Sequence, residues 1–167
     1  MKEVILCKYG EIVLKGNNRN QFEALLMKEL RRRAADLGKF DIRYMQSTVY
    51  IEPADEEAEM NFEEMYARCG KIFGFVGLCR AVACEKTLDA ILETAKAYLP
   101  EKLEGITTFR CEAKRSDKRF PLGSPELAAE VGGAILSVMP RLKVDLKNPD
   151  VTVRIKTRPQ TKPAIEK

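Results

Sequence analysis

The chain has 167 residues, 45% of them hydrophobic and 32% charged, and it contains no histidine. Histidine-based nucleophile activation, imidazole acid–base catalysis and histidine metal ligation are therefore excluded. No apolar run approaches the roughly 20 residues of a membrane-spanning helix, and no secretory signal follows Met1, so we expect a cytoplasmic protein of one or two small domains without a membrane partner.

The first half of the chain has the periodicity of alternating strands and helices. Strands are predicted at residues 4–8, twice within 42–51 and at 73–84, and helices at 22–37 and 61–70. Gly38 and Gly70 are placed to end the two helices. The order β-α-β-β-α-β predicts a ferredoxin-like split βαβ domain over residues 1–80, within an α+β protein.

The second half predicts a helix, a strand, a second helix and two short extended segments. Thr87 is a candidate N-cap for a helix that ends near Pro100, and residues 107–114 alternate like a half-exposed strand. Ser124-Pro125-Glu126 has the composition of a helix start, with Ser124 as the capping residue. The extended segments follow at 142–146 and 151–155. We expect a second domain at 81–156 and an aperiodic tail at 157–167.

Charge is distributed unevenly, although the formal net charge is only +4. Seven acids and no base lie in residues 52–64, whereas six bases against two acids lie in residues 141–158. A polyanion is therefore expected to approach the second half of the chain. The basic run Arg31–Arg33 has two open interpretations, because it could extend such a surface or simply suit the C-terminal end of a helix dipole.

The sequence EAKRSDKRFPLGSPE, at residues 112–126, combines positive charge with the end of a strand and the start of a helix. Helix N-termini attract phosphate through their backbone N–H groups and dipole. Phe120 could stack on a base or anchor the loop, and Asp117 could orient Arg115 or Arg119 through a charge-assisted hydrogen bond. A solvated surface has the same composition, so charge alone leaves anion or RNA binding open. Across residues 110–119 the bases are Arg110, Lys114, Arg115, Lys118 and Arg119, and the acids are Glu112 and Asp117.

Three ordered stretches together resemble one known family. They are YGEIVLKGNNRNQFE at Tyr9–Glu23, EAKRSDKRFPLGSPELAAEVGGAI at Glu112–Ile135 and NPDVTVRI at Asn148–Ile155. The chain resembles the N-terminal half of the tRNA 4-thiouridine synthetases, also called tRNA sulfurtransferases, which are linked to thiamine biosynthesis. The resemblance implies a ferredoxin-like domain followed by a THUMP domain, a module that helps to recognise the acceptor end of tRNA.

The resemblance also implies roles for particular residues. Because KRSDKRFP matches the family's RNA-binding module, it implies tRNA contacts for four residues: Lys114, Arg115, Lys118 and Arg119. Neighbouring candidates for RNA binding are Arg110, Phe120, Arg154 and Lys156. No catalytic residue and no metal ligand is predicted, since the five cysteines have irregular spacings without a CxxC pair and match no catalytic segment of the family.

Other parts of the family pattern do not occur in these residues. Family members continue into an ATP-pyrophosphatase domain that adenylates uridine, and some carry a rhodanese-like domain. We therefore expect no cofactor on this chain, ATP on the missing catalytic domain, and a cysteine desulfurase as sulfur donor to the full-length family. Whether the chain itself counts as an enzyme stays open. After Ile155 the THUMP domain is expected to lack its last strand.

Two functional hypotheses follow. In the first, the chain is the tRNA-binding portion of a tRNA 4-thiouridine synthetase and serves a catalytic domain located elsewhere. In the alternative, it is a dimerisation or docking module that forms a homodimer, and RNA contact is secondary. In that case Tyr9, Lys15, Arg19 and Asn20 form a partner surface or a helix start rather than a tRNA contact.

Overall fold

The computed structural model describes residues 3–10, 18–45, 47–157 and 164–166. The chain divides into two compact units, Lys2–Arg80 and Ala81–Lys167. None of the helices in the described ranges is long and apolar enough to cross a membrane.

The first unit has the predicted ferredoxin-like order of elements, with one additional short helix. Its elements are β1 (Glu3–Tyr9), α1 (Arg19–Ala34), β2 (Phe40–Met45), β3 (Thr48–Pro53), α2 (Glu56–Met60), α3 (Phe62–Cys69) and β4 (Phe75–Ala83), of which β4 passes beyond Arg80. The strand order is β2-β3-β1-β4, with β3 antiparallel to both β1 and β2. This order confirms the split βαβ arrangement predicted from the sequence.

The core of the first unit lies between this sheet and its helices. Alternate residues of β1 point inward, as the two-residue period of a strand requires. Buried core residues include Ile5, Cys7, Leu30, Ile51 and Met65. Gly38 follows α1 with φ of 108°, and a Cβ there would lie 2.4 Å from the backbone nitrogen of Ala58. Both the left-handed backbone and the close approach therefore require glycine at this position.

The second unit packs two helices on one face of a mixed sheet. Its further elements are α4 (Leu88–Lys102), β5 (Thr108–Arg115), α5 (Ser124–Val138), β6 (Lys143–Val144), β7 (Val151–Thr157) and β8 (Ala164–Glu166). The strands follow the order β8-β7-β5-β6, with β8 also paired to the end of β4. β5 runs parallel to β6 and β7, whereas β8 is antiparallel to its neighbours. Buried apolar residues include Ile91, Leu99, Phe109, Leu127 and Val153.

Three predictions about the second unit are wrong in detail. α4 continues through Pro100 to Lys102, and the Leu103 amide closes the last turn by donating to the Leu99 carbonyl. Of the segment predicted at 142–146, only Lys143–Val144 forms a strand. Residues 164–166 form β8 within the stretch predicted as a tail, so the expectation that the unit ends without a further strand is also wrong. Three residues are too few to show a strand period, and backbone pairing to β4 and β7 defines this strand instead.

Candidate nucleic-acid interface

The predicted RNA-binding residues lie along the two parallel strands β5 and β7 and in the loop that follows the carboxyl end of β5. These strands pair in register from Phe109 opposite Val151 to Arg115 opposite Thr157. The chain then passes from β5 into α5, and the Ser116 amide donates to the Thr157 carbonyl at 2.9 Å. We call residues 114–120 the basic loop. The set on the face of the sheet away from the helices is called the sheet face and comprises Arg110, Glu112, Thr152, Arg154 and Lys156.

Two residues of the basic loop hold its shape from within. The Arg115 guanidinium donates to the carbonyl oxygens of Phe120, at 3.2 Å, and Leu122, at 3.5 Å. The Phe120 side chain is 4% exposed and belongs to the hydrophobic core. Core atoms already cover the ring, so the geometry favours the interpretation of Phe120 as a loop anchor over stacking on a base.

Asp117 is the buried acid of the loop, with only 5% of its surface exposed. Its carboxylate accepts hydrogen bonds from Lys86 Nζ at 2.8 Å, from the Arg119 amide at 3.0 Å and from Arg119 Nε at 3.2 Å. The Lys86 ammonium, and after it the Arg119 guanidinium, lower the pKa of Asp117 well below its ordinary value. The predicted pairing with Arg119 is confirmed, whereas Arg115 binds carbonyl groups instead.

Lys86 is a member of this cluster that sequence reasoning missed. It lies just before α4, 31 residues upstream of its partner Asp117. No local pattern connects the two positions, because only the packing of α4 and α5 against one sheet brings them together.

Other cations of the basic loop point outward. Lys114 and Lys118 are exposed, and no acid within the described residues pairs with either side chain. The Arg119 side chain is 81% exposed even though it is bound to Asp117. The three cations thus present accessible positive charge beside the start of α5.

The N-terminus of α5 differs from the sequence prediction by one residue. Gly123, not Ser124, is the N-cap, and no side chain caps the first turn. Glu126 in that turn lies close to Gly123, since a Cβ on Gly123 would be 2.4 Å from Glu126 Oε2. A carboxylate near a helix N-terminus is favourable, and an incoming phosphate would compete with it.

On the sheet face, a carboxylate neutralises two of the predicted cations. Glu112 lies between Arg110, at 2.6 Å, and Arg154, at 3.4 Å. Arg110 also donates to Thr152 Oγ1 at 3.2 Å and to the Leu146 carbonyl at 3.3 Å. These bonds hold both guanidinium groups against the sheet, and their charge is partly compensated.

Lys156 occupies a different environment on the same face. It is half-buried and lies opposite Lys114 in the register of β5 and β7. Lys114 and Lys156 thus place two cations side by side near the carboxyl ends of the two strands.

The basic run Arg31–Arg33 lies in the last turn of α1. Arg32 and Arg33 both bond to Glu29, each with a shortest nitrogen–oxygen distance of 2.7 Å. Their guanidinium groups lower the pKa of Glu29 to about 2. For Arg32 and Arg33 the geometry favours the helix-end interpretation over a polyanion-binding surface.

The described residues at the two ends of the stretch Tyr9–Glu23 meet at the start of α1. The Tyr9 hydroxyl and Arg19 Nε each donate to Glu23 Oε1 at 3.0 Å. Burial, followed by the hydrogen bond to Glu23, raises the pKa of Tyr9. This geometry favours a helix start at Arg19 over a partner surface. Asn20 is exposed, and Lys15 lies outside the described residues.

Metal-binding and reactive groups are not prominent in the described part of the chain. No three metal-ligating side chains of the Cys, Asp or Glu type come together there. Burial raises the pKa of the Cys111 thiol to about 12, and a hydrogen bond with Cys69, together with burial, raises that of Cys7. These two thiols therefore stay protonated at neutral pH and are poor nucleophiles.

Comparison with known proteins identifies both units. Residues 4–79 match the ThiI ferredoxin-like domain and residues 85–161 match the THUMP domain. A probable tRNA sulfurtransferase of Alkaliphilus metalliredigens is 42% identical over 95% of this chain and 40% of its own length. One from Acetivibrio thermocellus is 40% identical over the same shares. The chain thus spans about 40% of the length of these curated relatives.

A solved structure has the same fold over the whole chain. It is a 4-thiouridine synthetase in complex with RNA and with bound ATP, and it matches with a TM-score of 0.80 and 26% identity. The match covers 100% of this chain and 41% of the synthetase chain. With its ThiI ferredoxin-like domain followed by a THUMP domain, the chain belongs to the tRNA sulfurtransferase family.

Proposed function

We propose that the chain is the tRNA-binding portion of a tRNA 4-thiouridine synthetase. In this proposal it recognises the acceptor end of tRNA, so that a catalytic domain outside these 167 residues can adenylate and thiolate a uridine. The observation that carries the proposal is the outward set of Lys114, Lys118 and Arg119 beside the uncapped start of α5. The related synthetase that was solved with RNA supports the same function.

The mechanism that we propose is neutralisation of backbone phosphates by a loop of fixed shape. Phosphate contacts position a protein on nucleic acid, and each one releases condensed counterions. If about five cations engage phosphates, the slope of log K against log salt is roughly −3 to −4. Besides the three outward cations, Arg110, Arg115, Arg154 and Lys156 remain proposed contacts, with Arg110 and Arg154 weakened by Glu112.

The remaining parts of the reaction are assigned to other components. We propose that ATP binds the catalytic domain, that a cysteine desulfurase supplies sulfur and that the complete enzyme works in the cytoplasm. A connection to thiamine biosynthesis belongs to the same proposal. For this chain we propose domains at residues 1–80 and 81–156, each contributing to recognition of the RNA.

Retention of a tRNA transcript on a filter tests the role of the basic loop. The double substitution Lys114→Glu with Lys118→Glu is expected to weaken binding by about 30-fold or more, since it reverses two phosphate contacts. Both side chains are exposed and unpaired in the described structure, so the fold should persist. Unchanged retention would contradict the proposal.

A matched control reverses two lysines at the other end of the same sheet. Lys143 lies opposite Thr108 at the start of β5, and Lys147 is in the turn before β7. Thr108 lies seven residues before Arg115, the last residue of β5, and this separation is roughly 20 Å along a strand. Of the proposed contacts only Arg110 lies near this end, where it donates to the Leu146 carbonyl and is paired with Glu112. Lys143→Glu with Lys147→Glu changes the net charge equally and should weaken binding by less than about threefold. Equal losses in the two variants would show that binding depends on net charge alone and not on the position of the lysines.

Shortened RNAs test recognition of the acceptor end. A minihelix of the acceptor and T arms should compete for the protein nearly as well as the complete transcript. An anticodon-arm hairpin of similar length should compete poorly. Equal competition by both hairpins would contradict acceptor-end recognition while leaving RNA binding itself intact.

A further inference from the structure

Two acids lie within the basic segment of the second unit, and their environments differ. The Glu112 side chain is 45% exposed on the sheet face, whereas Asp117 is buried at the base of the loop. Simple electrostatics gives both acids the same effect, because each negative charge should repel an approaching polyanion. Their bonding patterns indicate opposite effects.

Asp117 connects the basic loop to the segment ahead of α4, and its carboxylate accepts three kinds of hydrogen bond. It accepts from Lys86 ahead of α4, from the backbone amide of Arg119 and from the Arg119 guanidinium. Its own carbonyl accepts from the amide of Phe120, whose ring is fixed in the core. The tip of the loop is therefore fixed at both the backbone and the side-chain level.

The charges in this cluster offset one another. The Lys86 ammonium compensates the buried carboxylate, which leaves the Arg119 guanidinium oriented and highly exposed. Arg119 uses Nε, at 3.2 Å, and Nη2, at 3.5 Å, toward Asp117. This fork fixes the plane of the group, and a planar guanidinium of fixed orientation can bind a phosphate with geometric specificity.

We propose that Asp117 is a positioning residue for nucleic-acid binding, which holds the backbone amide and the guanidinium of Arg119 in a phosphate-binding arrangement with Lys86 as its counter-ion. The inference rests on the proposed function, because it concerns the same basic loop. It adds that one acid of the segment assists binding while the other opposes it. Lys86, outside the loop, becomes part of the recognition apparatus.

The test compares two substitutions that each remove one negative charge. Asp117→Asn is nearly isosteric and keeps an acceptor for the Arg119 amide, but it loses the charge that holds Lys86 and Arg119. We expect it to weaken retention of a tRNA transcript by about five- to tenfold, despite the more positive loop. Glu112→Gln should instead strengthen retention by about two- to fivefold, because it releases Arg110 and Arg154.

A second pair of variants tests the same role without depending on the folding of Asp117→Asn. Arg119→Lys conserves charge but cannot form the fork, and its side chain is exposed enough that folding should not be affected. It should weaken binding by about three- to fivefold, whereas Arg32→Lys, at an exposed arginine bound to Glu29 outside the basic loop, should change it by less than about twofold. When Asp117→Asn is already present, Arg119→Lys should weaken tRNA retention little further. If Arg119 acted without Asp117, the second substitution would instead cause its full loss.

The outcomes separate the inference from the function on which it rests. If the unsubstituted protein does not retain the transcript, the proposed function fails. If it does retain it and Asp117→Asn binds equally or more tightly, only the positioning role is overturned. Additive losses for Arg119→Lys and Asp117→Asn would also overturn that role.

Discussion

Two basic stretches of this chain are similar in sequence and different in structure. Arg31–Arg33 ends helix α1, and Glu29 binds two of its three guanidinium groups. The basic loop after β5 also contains an acid, but Asp117 points inward and leaves Lys114 and Lys118 exposed without acidic partners in the described residues. The positive charge that a surface presents therefore depends on how many of its basic side chains are paired with acids, and not only on the number of bases.

Secondary structure explains the difference. In a helix, residues three and four positions apart are neighbours, so Glu29 meets Arg32 and Arg33 without any tertiary contact. The loop has no such periodicity, and its conformation depends on long-range anchors such as Phe120 in the core and Lys86 before α4. Removing an anchor should therefore affect the loop and leave α1 unchanged.

The largest expected effect comes from removing the aromatic anchor of the loop. Phe120→Ala leaves a cavity in the core, and truncations of this kind cost about 3–5 kcal/mol of unfolding free energy. Urea unfolding measures this loss, and tRNA retention should fall with it because the loop loses its fixed shape. Phe73, which is 97% exposed, provides the control, since Phe73→Ala should change stability by less than about 0.5 kcal/mol. Equal stability of the two variants would show that the loop is not held through the core.

The second effect compares the two basic stretches directly. Lys114→Gln with Lys118→Gln should weaken tRNA retention by about tenfold and reduce the salt slope by about 2. Arg32→Gln with Arg33→Gln removes the same charge and should weaken retention by less than about twofold, because Glu29 binds both guanidinium groups against the helix and offsets one of their two charges. If the arginine variant lost as much affinity as the lysine variant, local neutralisation would not explain the difference.

The sequence predicts the strongly periodic elements of this chain, but it predicts the helix caps only in part, since Thr87 is a cap and Ser124 is not. Alternation identified β5, and Thr87 caps α4 by accepting from the Ala90 amide at 3.1 Å. The five-residue helix α2 was missed because its residues are mostly acidic and lack an apolar period. The short strand β8 was missed because its backbone partners, not its side chains, define it.

Within the candidate site, residue type was more predictable than residue role. The sequence identified the cations of the basic loop as a group, but it could not distinguish Arg115, which holds the loop, from Lys114 and Lys118, which face outward. Burial of Phe120 and the approach of Lys86 to Asp117 depend on helices packed against a common sheet. These contacts join residues that are far apart in the sequence, so no local pattern in a single sequence predicts them.

A smaller effect concerns the pH dependence of stability. Because the pKa of Asp117 is lowered in the folded state, its contribution is complete above the ordinary pKa of about 4 and is lost as pH falls through the lower folded value. The difference in unfolding free energy between the unsubstituted protein and Asp117→Asn should thus be constant from neutral pH to about pH 5 and shrink in more acidic solution. Urea titrations at a series of pH values measure it, and a difference that grew on acidification would contradict the assigned pairing.

The smallest effect distinguishes Glu29 from Asp117 by the salt dependence of the stability that each acid contributes. Glu29 and its arginines are partly exposed on α1, so dissolved ions screen their attraction, whereas the Asp117 carboxylate is buried against Lys86. Glu29→Gln should lower the melting temperature slightly at low salt, and this decrease should vanish near about 0.5 M salt. The decrease caused by Asp117→Asn should persist at both salt concentrations, since burial excludes the screening ions. If both decreases vanished together, Asp117 would be an ordinary surface acid like Glu29, and the loop would owe its shape to the Phe120 and Arg115 anchors alone.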